Sequence, residues 1–165
     1  MTMTSEFILL DPARCNGCGD CVSACAMRRR GLELPKYSCI QIASDPLIKG
    51  FYLPVLCLQC TEPPCMKVCP NGSIYRDDAL NRVMIKGHDC IGCKMCYSVC
   101  PFGAMGFDEA RGTAFKCDLC GGDPECVRKC EPMALVLVRT DELENERIRR
   151  SAEKFFSAAF TECSS

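Results

Sequence analysis

Sixteen of the eighteen cysteines in this 165-residue chain fall into four groups of four. Cys15, Cys18, Cys21 and Cys25 form the first, and Cys57, Cys60, Cys65 and Cys69 the second. Cys90, Cys93, Cys96 and Cys100 form the third, and Cys117, Cys120, Cys126 and Cys130 the fourth. Each group opens with C-x2-C, reaches a third cysteine after a short gap and a fourth after x3; Pro70 and Pro101 follow the last cysteines of groups two and three. Three close thiolates with a fourth that reaches across to a neighbouring centre is a spacing that holds [4Fe–4S] clusters. Sixteen ligands suffice for four clusters, and their chemistry is one-electron transfer. Zinc is the other metal that paired C-x2-C motifs bind, but the third cysteine, the x3 step and the fourfold repetition favour iron–sulfur. A cluster with four cysteine ligands leaves no iron open to substrate, so no catalytic residue is expected.

The prolines bear on which groups share clusters. Groups two and three end in Cys-Pro, whereas Cys25 and Cys130 are followed by Ala26 and Glu131. If like groups exchange their last cysteines, the layout is nested. The outer clusters are then Cys15, Cys18, Cys21 with Cys130, and Cys117, Cys120, Cys126 with Cys25. The inner ones are Cys57, Cys60, Cys65 with Cys100, and Cys90, Cys93, Cys96 with Cys69. The tandem alternative, group one with two and three with four, stays open on spacing alone.

Short elements must position these loops. Phe7–Leu10 and Ala134–Val138 read as strands. Ser73–Arg76 with Arg82–Ile85, and Ala104–Phe107 with Thr113–Phe115, read as hairpins around polar turns. Part of Leu34–Ile42 reads as an edge strand because of Pro35 and the alternation at Cys39–Ile42. The x3 spacings of Cys96–Cys100 and Cys126–Cys130 predict single helical turns, since residues i and i+4 share a face. From Asp141 to Phe160 the apolar residues Leu143, Ile148, Ala152, Phe155, Phe156, Ala159 and Phe160 predict an amphipathic helix that either packs back or docks on a partner. The expected fold class is α+β: two bacterial-type ferredoxin-like units, one nested inside the other. Residues 1–50 and 112–140 form the outer unit, 51–111 the inserted one and 141–165 a C-terminal docking helix.

The motifs Cys15-Asn16-Gly17-Cys18-Gly19-Asp20-Cys21, Cys57-Leu58-Gln59-Cys60-Thr61-Glu62-Pro63-Pro64-Cys65, Cys90-Ile91-Gly92-Cys93-Lys94-Met95-Cys96 and Cys117-Asp118-Leu119-Cys120 carry a family likeness. Across residues 6–138 the chain resembles the four-cluster iron–sulfur subunits of multisubunit oxidoreductases, the dimethyl sulfoxide reductase and formate dehydrogenase type. All sixteen ligand positions match, and the family's nested pairing agrees with the proline pattern. The short insertions make it most similar to subunits that accompany tungsten aldehyde oxidoreductases. The resemblance implies a larger tungsten- or molybdenum-pterin catalytic partner, with a flavin subunit as a further one, and two exposed ends that would let copies stack. The competing readings are a free-standing polyferredoxin carrier, or the iron–sulfur subunit of a formate dehydrogenase, carbon monoxide dehydrogenase or hydrogenase.

Composition bounds the rest. The polar start from Met1 to Glu6 does not read as a signal peptide, no stretch reaches the roughly 18 apolar residues of a membrane helix, and the expected location is cytoplasmic. The formal charge is −1 with every cysteine neutral; sixteen thiolates on four oxidised clusters would leave the loaded protein at about −9. The 20 Lys and Arg residues therefore have buried negative charge to stabilise, and nothing indicates nucleic acid. No G-x-G-x-x-G or phosphate loop appears. Cys39 reads as a buried inert thiol, Cys163 as a free one, His88 as a surface residue, and Arg28–Arg30 as either a solvated run or a docking patch.

Overall fold

The computed structural model describes residues 5–140; the expected helix of 141–165 and Cys163 lie outside the described residues. Four two-stranded antiparallel sheets frame the cysteine loops. Strand β1 (Glu6–Leu10) pairs with β8 (Leu135–Arg139), Glu6 opposite Arg139 and Leu10 opposite Leu135. The Thr140 amide donates to Ser5 O and the Ser5 amide to the Thr140 hydroxyl Oγ1, extending the contact by one residue. Ile8 and Leu135 drive it, at 1% and 2% exposed.

The other three sheets are hairpins. Strand β2 (Ile40–Ser44) pairs with β3 (Tyr52–Leu56), with Pro54 opposite Ile42. A proline is tolerated there because a two-stranded sheet leaves one side of each strand free of ladder bonds. The expected edge strand thus begins at Ile40, after a 3-10 turn at Pro35–Tyr37; its partner was not foreseen, since Pro54 interrupts the strand signal beside Cys57. Strands β4 (Ile74–Asp77) and β5 (Arg82–Ile85) form the next hairpin, and β6 (Gly106–Asp108) and β7 (Thr113–Phe115) the last. Both turns are built alike: the Asp77 carboxylate accepts from the amides of Ala79 and Leu80, and the Asp108 carboxylate from those of Ala110 and Arg111.

Each cysteine group feeds a helix. Helices α2 (Pro64–Lys67), α3 (Met95–Val99) and α4 (Glu125–Arg128) are short turns holding Cys65, Cys96 and Cys126. Helix α1 (Asp20–Arg30) is longer than the single turn an x3 spacing predicts; it runs on to Gly31, whose amide donates to Met27 O in a left-handed cap. Its basic last turn suits the negative end of the helix dipole. Arg29 and Arg30 do not form an open patch. Arg29 lies over the Phe115 ring at 4.4 Å, and Arg30 pairs with the buried Asp108 at 3.0 Å. They pin α1 against the β6–β7 hairpin.

Helix α1 packs on α4, and α2 on α3. Two apolar cores result. One gathers Ile8, Ile40, Leu56, Phe115, Leu119 and Leu135 around Cys21, Cys25, Cys117 and Cys126. The other gathers Ile74, Val83, Met105 and Ala114 around Cys65 and Cys96. Thiols occupy places that aliphatic side chains fill in ordinary cores.

Candidate iron–sulfur centres

The four C-x2-C loops share one backbone device. The residue just before the second cysteine is left-handed in every group: Gly17 at φ +75°, Gln59 at +51°, Gly92 at +71° and Leu119 at +58°. Glycine takes this conformation freely, whereas Gln59 and Leu119 are strained there by about 1–2 kcal/mol. Both are buried and held. Leu119 is fully enclosed, and the Gln59 side chain donates from Nε2 to Cys117 O and accepts from Val83 N, each at 2.8 Å. Gln59 thereby ties the group-two loop to group four.

Cys21, Cys25, Cys65, Cys96, Cys117 and Cys126 are buried, Cys18 and Cys93 are exposed, and the remaining eight of the sixteen lie between. Burial and neighbouring thiols act on them together. Burial pushes the Cys21 thiol up to about 11, with Cys130, Cys18 and Cys15 adding to the push. Burial also drives Cys126 upward, reinforced by Cys117, Cys25 and Cys120. Cys60 and Cys65 are both raised by burial and both feel Cys57 and Cys100. Burial lifts Cys96 to about 11, with Cys90 and Cys93 next in effect.

Two cavities are each lined by four of the cysteines. One is lined by Cys57, Cys60, Cys65 and Cys100 with the apolar Val83, Phe102 and Met105. Another is lined by Cys69, Cys90, Cys93 and Cys96 with Ile74 and Ile85. Among the described residues no three His, Cys, Asp or Glu converge closely enough to hold a single metal ion, the convergence a four-cysteine zinc site requires. Ligands of a cube each take a different iron, and four cysteines spread around one cavity suit that.

Hydrogen bonds to sulfur complete the fit. The amide of Cys39 donates to Cys25 Sγ at 3.2 Å, that of Ala104 to Cys100 Sγ at 3.4 Å and that of Leu119 to Cys117 Sγ at 3.4 Å. The Cys39 thiol holds Cys25 down at about 6 against the upward push of burial. At Cys69 burial acts upward, but the Ser73 hydroxyl, 3.1 Å away, and nearby amides hold the thiol below its usual range. Donors of this kind stabilise thiolate and tune a bound cluster. These residues fit [4Fe–4S] centres. Sequence reasoning missed Gln59, Cys39 and Lys116 as parts of the site; Lys116, a charge inside the apolar run Ala114–Cys117, carried the one visible signal. His88 is exposed beside Asp89, as expected of a surface residue.

The 4Fe–4S dicluster domain family matches residues 48–140, and a 4Fe–4S binding domain matches residues 7–29. The chain belongs to the 4Fe–4S dicluster family. This ferredoxin is an iron–sulfur protein of electron transport. It is 39% identical to the beta subunit of the NADH-dependent phenylglyoxylate dehydrogenase of Aromatoleum evansii over 84% of its length, but spans only 31% of that subunit. It is 34% identical to the thiosulfate reductase electron transfer subunit of Salmonella typhi, over 88% of this chain and 82% of that one. Among solved structures, the ferredoxin resembles a chain of the active-site complex BamBC of benzoyl-coenzyme A reductase with benzoyl-CoA, at TM-score 0.51 and 25% identity, covering 88% of this chain and 89% of that one. Among the described residues no helix is long and apolar enough to cross a membrane.

Proposed function

We propose that the sixteen cysteines hold four [4Fe–4S] clusters in the nested pairing, and that the chain conducts single electrons between a catalytic subunit and a second redox partner. The outer unit is then 1–50 with 112–140, and the inserted unit 51–111. One observation carries the reading: the cysteine sets adjoin one another in a single file with an exposed sulfur in each terminal set. Cys21, Cys25, Cys117 and Cys126 share one core with Cys57 packed against it, and Cys65 and Cys96 share the other. The file therefore runs from group one to four to two to three. Cys18 and Cys93, the two exposed ligands, belong to its two ends.

When bound, each cluster accepts and returns one electron. The protein's part is to hold the four sets in file, to exclude water from the middle ones and to supply amide donors to sulfur. Apolar Ile91, Met95 and Tyr97, at 65%, 48% and 55% exposed, surround the Cys93 end and suit a protein partner there. The chain has no substrate site in this reading. Its catalytic partner is a tungsten- or molybdenum-pterin oxidoreductase, with an aldehyde oxidoreductase favoured by the family resemblance. Sixteen free ligand thiols favour the cytoplasm, where thiols stay reduced.

The test is elemental analysis of the complex purified anaerobically from its native host through a tag on this chain. The expected result is about 16 iron per copy with tungsten or molybdenum co-purifying. Nickel would redirect the partner to carbon monoxide dehydrogenase or hydrogenase. Iron alone, with no second protein, would sink the subunit reading in favour of a free carrier.

A further inference from the structure

Lys116 is 4% exposed. Its Nζ donates to the carbonyls of Val83 at 2.5 Å and Cys117 at 3.0 Å. No carboxylate pairs with it among the described residues. An ammonium withdrawn from water is costly unless negative charge nearby repays the loss, and two carbonyl dipoles are a thin return. The negative charge is at hand on both sides. Lys116 lines the same cavity as Cys57, Cys60, Cys65 and Cys100. It also directly precedes Cys117 and holds that residue's carbonyl.

The placement is rigid. Gln59 donates to the Cys117 carbonyl that Lys116 also holds, and accepts from the amide of Val83, whose carbonyl Lys116 holds. Two side chains and two backbone residues thus lock the ammonium at the seam between group two and group four. In the file proposed above, these are the two central sets, and Cys18 and Cys93 belong to the terminal ones.

We infer that Lys116 is the built-in counter-charge of the two central clusters and raises both their reduction potentials. The inference rests on the four-cluster reading. The step it acts on transfers one electron from a reduced one-electron donor into the iron core. No bond forms or breaks, no proton moves, and the set becomes more negative by one charge. A fixed cation within a low-dielectric seam favours the more negative state. Without Lys116 the two central sets, which hold Cys25, Cys65, Cys117 and Cys126 of the six buried cysteines, would be the hardest to reduce, and electrons would meet a barrier halfway along the file.

The test is an anaerobic, EPR-monitored redox titration of the whole chain with dithionite and mediators, after iron assay of each sample. Wild type, K116M, K116Q and K116R are compared. K116Q keeps a hydrogen-bond donor without the charge, and serves if K116M does not fold. The expected result is that two of four midpoints fall in K116M and K116Q by at least a tenfold change in the reduction equilibrium, about 59 mV for one electron. The other two stay, and K116R restores the wild-type values. Unmoved midpoints at about 16 iron per chain would overturn the inference while leaving the four-cluster reading intact. Four midpoints displaced alike, with K116R no better than K116Q, would also overturn it, as general damage. A wild type with iron for only two clusters would overturn both.

Discussion

Gln59 shows how much one residue can do at this site. It bears a left-handed backbone beside Cys60 and spends both ends of its amide on a neighbouring loop and strand. Gln59→Leu should leave the Cys117 carbonyl with one fewer donor and the Val83 amide buried without its partner. The expected cost is about 2 kcal/mol, read as earlier bleaching of the visible absorbance on heating. The ligands themselves make a sharper test. Cys126→Ala removes a buried sulfur from one set only, so iron should fall from about 16 to about 12 per chain with the other three sets intact. Loss of all iron would mean that the sets do not load independently. Cys39 is buried, as its sequence context indicates, yet it is not inert: its amide and thiol both face Cys25. No spacing rule points to a thiol that serves a ligand without being one.

At the scale of the element, close approach decides which positions tolerate change. A Cβ on Gly106 in β6 would meet the Phe115 ring at 2.2 Å, inside a buried hairpin. Gly106→Ala should cost at least 2 kcal/mol and be seen as poor recovery of iron-loaded protein. Gly72→Ala is the control. Gly72 is left-handed at φ +67° with nothing within 4 Å of an added Cβ, so the expected loss is about 1 kcal/mol with full iron loading. Equal damage from both would mean that the Phe115 contact is not what limits Gly106. The hairpins at 74–85 and 106–115 were legible because apolar runs flank polar turns with an Asp at the start. Strand β3 was not, because Pro54 and the adjoining Cys57 hide its alternation. The full length of α1 was hidden too, since its mixed Arg-rich end has no apolar face and is held by contacts to Phe115 and Asp108.

For the whole molecule, the two cores explain why metal and fold should be inseparable. Six of the sixteen cysteines in the four groups are buried in those cores. Burial already raises Cys21, Cys96 and Cys117 to between about 11 and about 12, so these three are neutral thiols until iron binds and loading them must release protons. Oxidising the clusters and chelating the iron should therefore abolish the cooperative thermal transition and the near-ultraviolet circular dichroism together. A cluster-free chain that still melts cooperatively at a similar temperature would show that the aliphatic residues suffice. The four small sheets contribute little independent stability, since an isolated two-stranded hairpin is marginal in water.

The sequence by itself determined the chemistry. Four C-x2-C groups with an x3 step mark a 4Fe–4S protein, because ligand spacing along a loop is local and survives any arrangement of the rest. It also indicated most hairpins and the short helical turns, which are local for the same reason. The tertiary structure decided which cysteines line a common cavity, Cys100 with Cys57, Cys60 and Cys65, and Cys69 with Cys90, Cys93 and Cys96, which two stand exposed, and what Lys116, Gln59 and Cys39 touch. Those are facts of packing between distant segments, where one residue's role depends on what the fold brings to face it.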